Sequence, residues 1–230
     1  MQITSGYMGI IIGTAIILLW LGHLLYILLY ADLDLQSPLM YLHVLLQTFL
    51  YTGLFITAHD AMHGSVAANR KVNNTIGHTA TTLFAFLSFS NLSKKHYQHH
   101  RHPATDEDPD FSPRSNNFFV WWSVFIRNYI TWQQILLMAI MFNILLLWFS
   151  ELRLIMFWIV PAVLSTFQLF FFGTYIPHRR PFTKSMEPHF SRTLPRNHFR
   201  AMITCYFFGY HWEHHEKPTI PWWQLYKQKK

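Results

Sequence analysis

The chain has 230 residues, of which 51% are hydrophobic, 18% aromatic and only 13% charged, and its formal net charge is +7. Soluble domains usually carry about 25% charged residues, so this composition excludes an ordinary soluble globule. The single Cys, Cys205, excludes an internal disulfide and metal sites built from several thiolates. The chain also contains 15 His residues, whose role the fold must account for.

Four long uncharged segments predict membrane-spanning helices. They cover residues 7–30, 39–58, 132–150 and 154–176, and each is close to the roughly 20 residues needed to cross a bilayer. Only residues 31–38 separate the first two segments, and only residues 151–153 separate the last two. We therefore expect an all-α integral membrane protein with four transmembrane helices in two hairpins, forming a single domain over residues 1–230.

The distribution of basic residues predicts the orientation of these helices. Of the 18 Lys and Arg residues, all but Arg153 fall within residues 59–131 and 177–230. By the positive-inside rule, these two segments form a cytoplasmic helical cap. The positive charge would also attract the anionic headgroups of the lipid bilayer. Nucleic acid is not an expected partner, because the basic residues flank the spans and do not form one stripe.

Most histidines occur in motifs on the predicted cytoplasmic side. Spacings of three and four residues place imidazoles on one helix face in three motifs: His59 with His63, His96 with His99 and His100, and His211 with His214 and His215. His178 follows the last span. The hairpins return all four groups to one membrane surface. Nine imidazoles exceed the needs of one tetrahedral zinc and suit two centres of iron, copper or zinc.

Acidic residues lie beside these motifs. Because a metal-bound imidazole needs an acceptor for its outer N–H group, five carboxylates are candidate partners: Asp60, Asp106, Asp108, Asp110 and Glu213. His102 departs from the motif spacing, so we expect it to support the site or the fold and not to bind metal. A bundle whose histidines only contact headgroups is disfavoured, because clustered imidazoles repel one another when protonated and are costly to bury unpaired.

Two further features lie within the predicted spans. His23 and His43 are expected to form hydrogen bonds between neighbouring helices. Gly9 and Gly13 match the small-residue packing motif, which is equally compatible with a contact inside the chain and with an oligomer interface.

The three motifs resemble the histidine boxes of the membrane fatty-acid desaturase and hydroxylase superfamily. The surrounding residues are similar to those of bacterial and cyanobacterial β-carotene ketolases in four segments: residues 59–65, 99–111, 173–179 and 209–218. His178 resembles the additional histidine ligand that membrane alkane hydroxylases of the superfamily supply after their last span.

The resemblance implies a non-haem oxygenase with two Fe ions held by the nine histidines and with O₂ as co-substrate. It implies oxidation of C4 of a β-ionone ring to a ketone by two hydroxylations and a dehydration. The implied carotenoid substrates are β-carotene, echinenone and zeaxanthin, and the implied electron donor is of the ferredoxin type. The active site would face the cytoplasm, in a bacterial inner membrane or a cyanobacterial membrane.

Three alternatives stay open at this point. A carotenoid 3-hydroxylase and a fatty-acyl desaturase belong to the same superfamily, and a membrane metal or haem protein without catalytic activity would also carry buried histidines. The sequence does not determine the donor, the number of rings oxidised, the tolerance of hydroxylated rings, the oligomeric state, or whether His102 replaces one of the nine ligands.

Overall fold

A computed structural model describes residues 7–229, and within this part of the chain the regular structure is entirely helical. Residues 1–6 and 230 of the predicted single domain lie outside the described residues. The prediction of an all-α protein is confirmed. The helices are α1 Met8–Leu29, α2 Pro38–Met62, α3 Arg70–Ala85, α4 Phe89–Arg101, α5 Phe118–Tyr129, α6 Trp132–Leu145, α7 Glu151–His178, α8 His198–Cys205, α9 His211–Glu216 and α10 Trp222–Leu225, with 3₁₀ turns at Lys184–Met186 and Tyr226–Gln228.

Three helices are long and apolar enough to cross a membrane: α1, α2 and α7, with 22, 25 and 28 residues. The predicted span 132–150 instead contains α6, a helix of 14 residues. Such a helix is about 21 Å long, short of the roughly 30 Å hydrocarbon core. The chain leaves α6 at Leu145 and turns, and the side chain of Ser150 then caps α7 by accepting from the Arg153 N–H. The four-span topology stays a prediction.

Helix α7 contains two widened, π-helical turns, at Ile155–Ile159 and Phe171–Tyr175. Each is followed two residues later by a proline, Pro161 or Pro177. Proline has no N–H to donate to the preceding turn, and its ring collides with that turn's carbonyl in a regular helix. A widened turn relieves this conflict, and such turns are frequent at functional sites.

Polar side chains join the apolar helices within the bundle. His23 Nδ1 lies 2.5 Å from Gln47 Oε1, and His23 Nε2 lies 3.2 Å from His43 Nδ1. The expected hydrogen bonding between the first two helices is thus confirmed. Arg153 donates to the Ile27 carbonyl at 2.9 Å, where the end of α1 leaves carbonyls without helical partners.

Two glycines allow α1 to pack closely against the rest of the chain. A Cβ atom on Gly9 would lie 2.2 Å from the carbonyl oxygen of Val66, and one on Gly13 would lie 3.1 Å from Thr57 Cγ2. The small-residue motif therefore serves a contact inside the chain.

We expect Gly9→Ala to lower the free energy of unfolding by about 1–3 kcal/mol, because the Val66 backbone must move to admit the methyl group. Gly22→Ala is the matched control, since no atom lies within 4 Å of a Cβ at Gly22. In that helix interior Ala is favoured over Gly by up to about 1 kcal/mol. Thermal unfolding of the purified variants measures both effects. Equal losses of unfolding free energy in Gly9→Ala and Gly22→Ala would contradict the proposed steric clash at Gly9.

Candidate metal centre

All nine histidines of the predicted set lie together at one end of the molecule, in two groups. Within each group the potential ligand nitrogens lie within 4.8 Å of one another. The five-histidine group consists of His59, His63, His96, His100 and His214, and the four-histidine group consists of His99, His178, His211 and His215.

The two helices with three clustered histidines divide them between the groups. On α4, His96 and His100 are one turn apart and join the five-histidine group, whereas His99 points to the other. Helix α9 does the reverse, since only His214 joins the five-histidine group. Each helix thereby contributes to both groups and holds them side by side.

The imidazole nitrogens face one another across short distances. In the five-histidine group His96 Nε2 lies 2.7 Å from His63 Nε2, and in the four-histidine group His215 Nε2 lies 3.1 Å from His211 Nε2. The ring centroids of His100 and His215, one from each group, are 4.3 Å apart. The two groups therefore adjoin, as a pair of neighbouring metal ions requires.

The donor atoms suit metal ions. His59 Nε2 and His178 Nε2 are buried and have no hydrogen-bond partner among the described residues. Such atoms are costly to bury unless something else binds them. Burial lowers the pKa of His63 to about 4 and holds the pKa of His214 well below its usual range. These imidazoles are therefore neutral and offer lone pairs, which suits first-row transition metal ions such as iron.

Two histidines are oriented through their outer nitrogen. His99 Nδ1 donates to Asp108 Oδ1 at 2.9 Å, and His178 Nδ1 donates to the Phe190 carbonyl at 3.0 Å. Both contacts leave Nε2 free to face the four-histidine group. Burial lowers the pKa of His99, but the charges of Asp108 and Asp110 outweigh it and raise that pKa to about 9. The same negative charge would stabilise a cation bound at Nε2.

Two other predicted carboxylates lie near imidazoles. Asp60 is buried, with Oδ1 3.6 Å from His59 Nδ1 and Oδ2 accepting from the Trp222 N–H at 3.0 Å. Asp110 Oδ2 lies 3.9 Å from His99 Nδ1, and this carboxylate also accepts a hydrogen bond from the Tyr129 hydroxyl.

The remaining predicted partners lie elsewhere. Asp106 is exposed, and its side chain has no hydrogen bond or ion pair with an imidazole among the described residues. Glu213 accepts from Thr193 Oγ1 at 2.6 Å and from Lys229 Nζ at 3.2 Å, which ties the end of the chain to α9. His102 faces Glu107, at 3.3 Å, and belongs to neither group. Proximity in sequence did not distinguish Asp106 and Glu213 from Asp60, Asp108 and Asp110, whereas His102 already departs from the motif spacing.

A cavity of about 300 Å³ adjoins the histidines and is lined by His59, His96, His99 and His211 among other residues. The other polar residues of its lining include Asp110 and Tyr129. Aromatic and aliphatic side chains from helices α2 to α7 form most of its walls. Tyr129 belongs to none of the motifs in the sequence. No signal in the sequence indicates that a tyrosine 19 residues after Asp110 would contact it.

Comparisons with known proteins show the family to which the chain is similar. The family described as "Fatty acid desaturase" matches residues 36–130 and 117–230. A zeaxanthin 4-ketolase of Chlamydomonas reinhardtii is 43% identical over 78% of this chain, although the match covers 41% of that algal protein. The β-carotene ketolases of Paracoccus sp. strains N81106 / MBIC 01143 and PC1 are 36% and 39% identical, with 94% of this chain and 90% of theirs covered. No solved structure matches.

Proposed function

This chain belongs to the fatty acid desaturase family, and we propose that it is a carotenoid ketolase that converts the C4 methylene of a β-ionone ring to a ketone. The observation that carries this proposal is a largely apolar cavity lined by members of two adjoining groups of buried and half-buried histidines. The names of the relatives, β-carotene ketolase and zeaxanthin 4-ketolase, provide the substrate class. With β-carotene the products would be echinenone and then canthaxanthin.

The nine histidines would hold two iron ions, one in each group. Iron, when bound, would activate the co-substrate O₂, which is the oxidant, for attack on the weak allylic C–H bonds of C4. Each hydroxylation consumes one O₂, two electrons and two protons, and releases one water. The second hydroxylation gives a geminal diol at C4, which loses water to form the ketone.

The residues of the chain bind and orient the reactants. Apolar walls from α5, α6 and α7 suit a β-ionone ring and exclude water from the reacting carbon. Asp108 fixes the orientation of His99. Tyr129 and Asp110 line the same cavity as four of the histidines and are hydrogen-bonded to each other. This pair is placed to hydrogen-bond the hydroxyl group that the first hydroxylation introduces at C4.

The proposed topology keeps four spans in a single domain over residues 1–230, with α6 as part of the second hairpin. The cap, residues 59–131 and 177–230, would face the cytoplasm of a bacterium or cyanobacterium. The support is the strong bias of Lys and Arg toward these segments. A basic face also suits an acidic, ferredoxin-type electron donor, because opposite charges speed association.

Expression in a host that produces β-carotene tests the reaction. We expect echinenone and canthaxanthin to accumulate, as measured by chromatography with absorption spectra. Zeaxanthin alone would identify a 3-hydroxylase, and new double bonds in the host's fatty acids would identify a desaturase. Either result would contradict the proposal that the protein is a ketolase.

The metal content tests the site independently of the reaction. The purified protein is expected to contain about two irons per chain, the number given by one ion for each histidine group, without a Soret band. A haem spectrum, or zinc in place of iron, would instead support a membrane metal or haem protein without this oxygenase activity.

A further inference from the structure

Three arginines converge on a cleft outside the metal centre. Arg179, Arg180 and Arg192, together with Asn116 and Tyr175, line a cleft of about 280 Å³. None of the lining residues is acidic. Within residues 7–229, none of the three guanidinium groups forms an ion pair with a carboxylate. The positive charge of this cleft is therefore not neutralised by the described part of the chain.

Backbone carbonyls and an aromatic ring hold these arginines in place. Arg180 Nη1 donates to the Pro113 carbonyl at 2.7 Å, and Arg192 donates to the carbonyls of Arg179 and Pro181. The Arg179 guanidinium lies 5.6 Å from the centroid of the Tyr175 ring. Burial and the charge of Arg179 lower the pKa of Arg192. Fixed guanidinium groups that repel one another form a preorganised site for an oxyanion.

The neighbouring surface places the cleft at the level of lipid headgroups. Arg179 follows the last residue of α7, and Phe171, two turns earlier on the same helix, is 37% exposed. On the other side of the cleft, α5 begins just after Asn116 and exposes 68% of Phe119. Exposed aromatic side chains next to arginines are typical of the boundary between hydrocarbon and headgroups.

We propose that this cleft binds the phosphate group of an anionic phospholipid headgroup. A compact phosphate matches a small cleft that is lined by three arginines, whereas a protein partner needs a broader surface of about 800 Å². The same segment carries His178, and the Arg192 N–H donates to the Pro177 carbonyl at 2.9 Å. A bound headgroup would therefore also fasten the segment that presents His178 to the four-histidine group.

The test measures lipid binding to the full chain, purified in detergent with its metal, by native mass spectrometry and by the shift of the thermal unfolding midpoint. Short-chain phosphatidylglycerol is expected to bind and raise the midpoint, and phosphatidylcholine is not. Arg179→Gln should weaken phosphatidylglycerol binding about fivefold, the effect of one interfacial arginine. The affinity of Arg179→Lys for phosphatidylglycerol should lie between those of the wild type and Arg179→Gln. Lysine keeps the positive charge but lacks the planar guanidinium group that binds two oxygens at once.

Arg200→Gln is the matched control, since Arg200 is exposed on α8 and does not line the cleft. Unchanged midpoints without lipid establish that the variants fold. Equal binding of the two lipids, or wild-type binding by Arg179→Gln, would overturn the proposal. If inorganic phosphate binds but phosphatidylglycerol does not, the ligand is free phosphate and not a lipid headgroup, which would overturn the proposal. Arg179-dependent binding of an acidic ferredoxin, with no lipid binding, would replace the lipid by a protein partner.

Discussion

Replacement of His178 by Ala is expected to abolish ketone formation and to remove iron from the four-histidine group. This group has one histidine fewer than its neighbour, and the buried Nε2 of His178 has no hydrogen-bond partner among the described residues. Loss of an outer partner of a ligand histidine alone typically costs 10–100-fold, so loss of the ligand should cost at least about 100-fold. Iron per chain and product formed in the β-carotene host measure the two effects.

His102→Ala is the control for this variant. It removes the same side chain from a position just after α4, but His102 faces Glu107 and lies outside both groups. Iron content close to that of the wild type and much of the activity should remain. Loss of iron in His102→Ala with retention in His178→Ala would mean that the ninth ligand is misassigned.

The helical spacing of the histidines could be predicted from sequence, but their division between the two groups could not. The spacing places His96, His99 and His100 on one broad face of α4. Which of them joins which group depends on where α2, α7 and α9 pass, since adjacent residues His99 and His100 belong to different groups. That information lies in contacts between segments more than 100 residues apart, such as His100 with His214.

Hydropathy predicted the long helices well and the end of α6 poorly. Residues 146–150 are still largely apolar, so a hydropathy average continues past the point where the backbone turns after Leu145. The average measures composition, whereas the turn depends on local hydrogen bonds such as the Ser150 cap. The cavity was likewise beyond prediction, because side chains from all six helices α2 to α7 form its walls.

The three aspartates after α4 illustrate the same limit. Asp106, Asp108 and Asp110 alternate along five residues, and the sequence makes them equivalent candidates. The loop folds so that the Asp108 carboxylate accepts from the N–H groups of Ala104 and Asp110, at 2.8 and 2.9 Å, as well as from His99. Burial raises the pKa of Asp108, but the charge of His99 and these hydrogen bonds outweigh it and lower that pKa.

Asp108→Asn is therefore expected to weaken iron binding and to lower ketone formation about 10–100-fold, the usual effect of changing an outer partner of a ligand histidine. The amide has nearly the same shape, but it removes the negative charge beside His99. Its NH₂ group also cannot replace the acceptor on which Ala104 or Asp110 depends. Two measurements on the variant and the wild type test this: the loss of iron during titration with a chelator, and the amount of ketone formed in the β-carotene host.

Asp106→Asn makes the same chemical change two residues away, at an exposed side chain that does not contact an imidazole of the described residues. Iron retention and activity should stay close to the wild type, because exposed substitutions away from such contacts usually change stability by no more than about 0.5 kcal/mol. Comparable losses of iron and activity in both variants would show that only the total negative charge near the site matters, and not the position of each carboxylate. A loss confined to Asp108→Asn would instead show that the contacts of the buried Asp108 carboxylate with His99, Ala104 and Asp110 are required, because the change in net charge is identical in the two proteins.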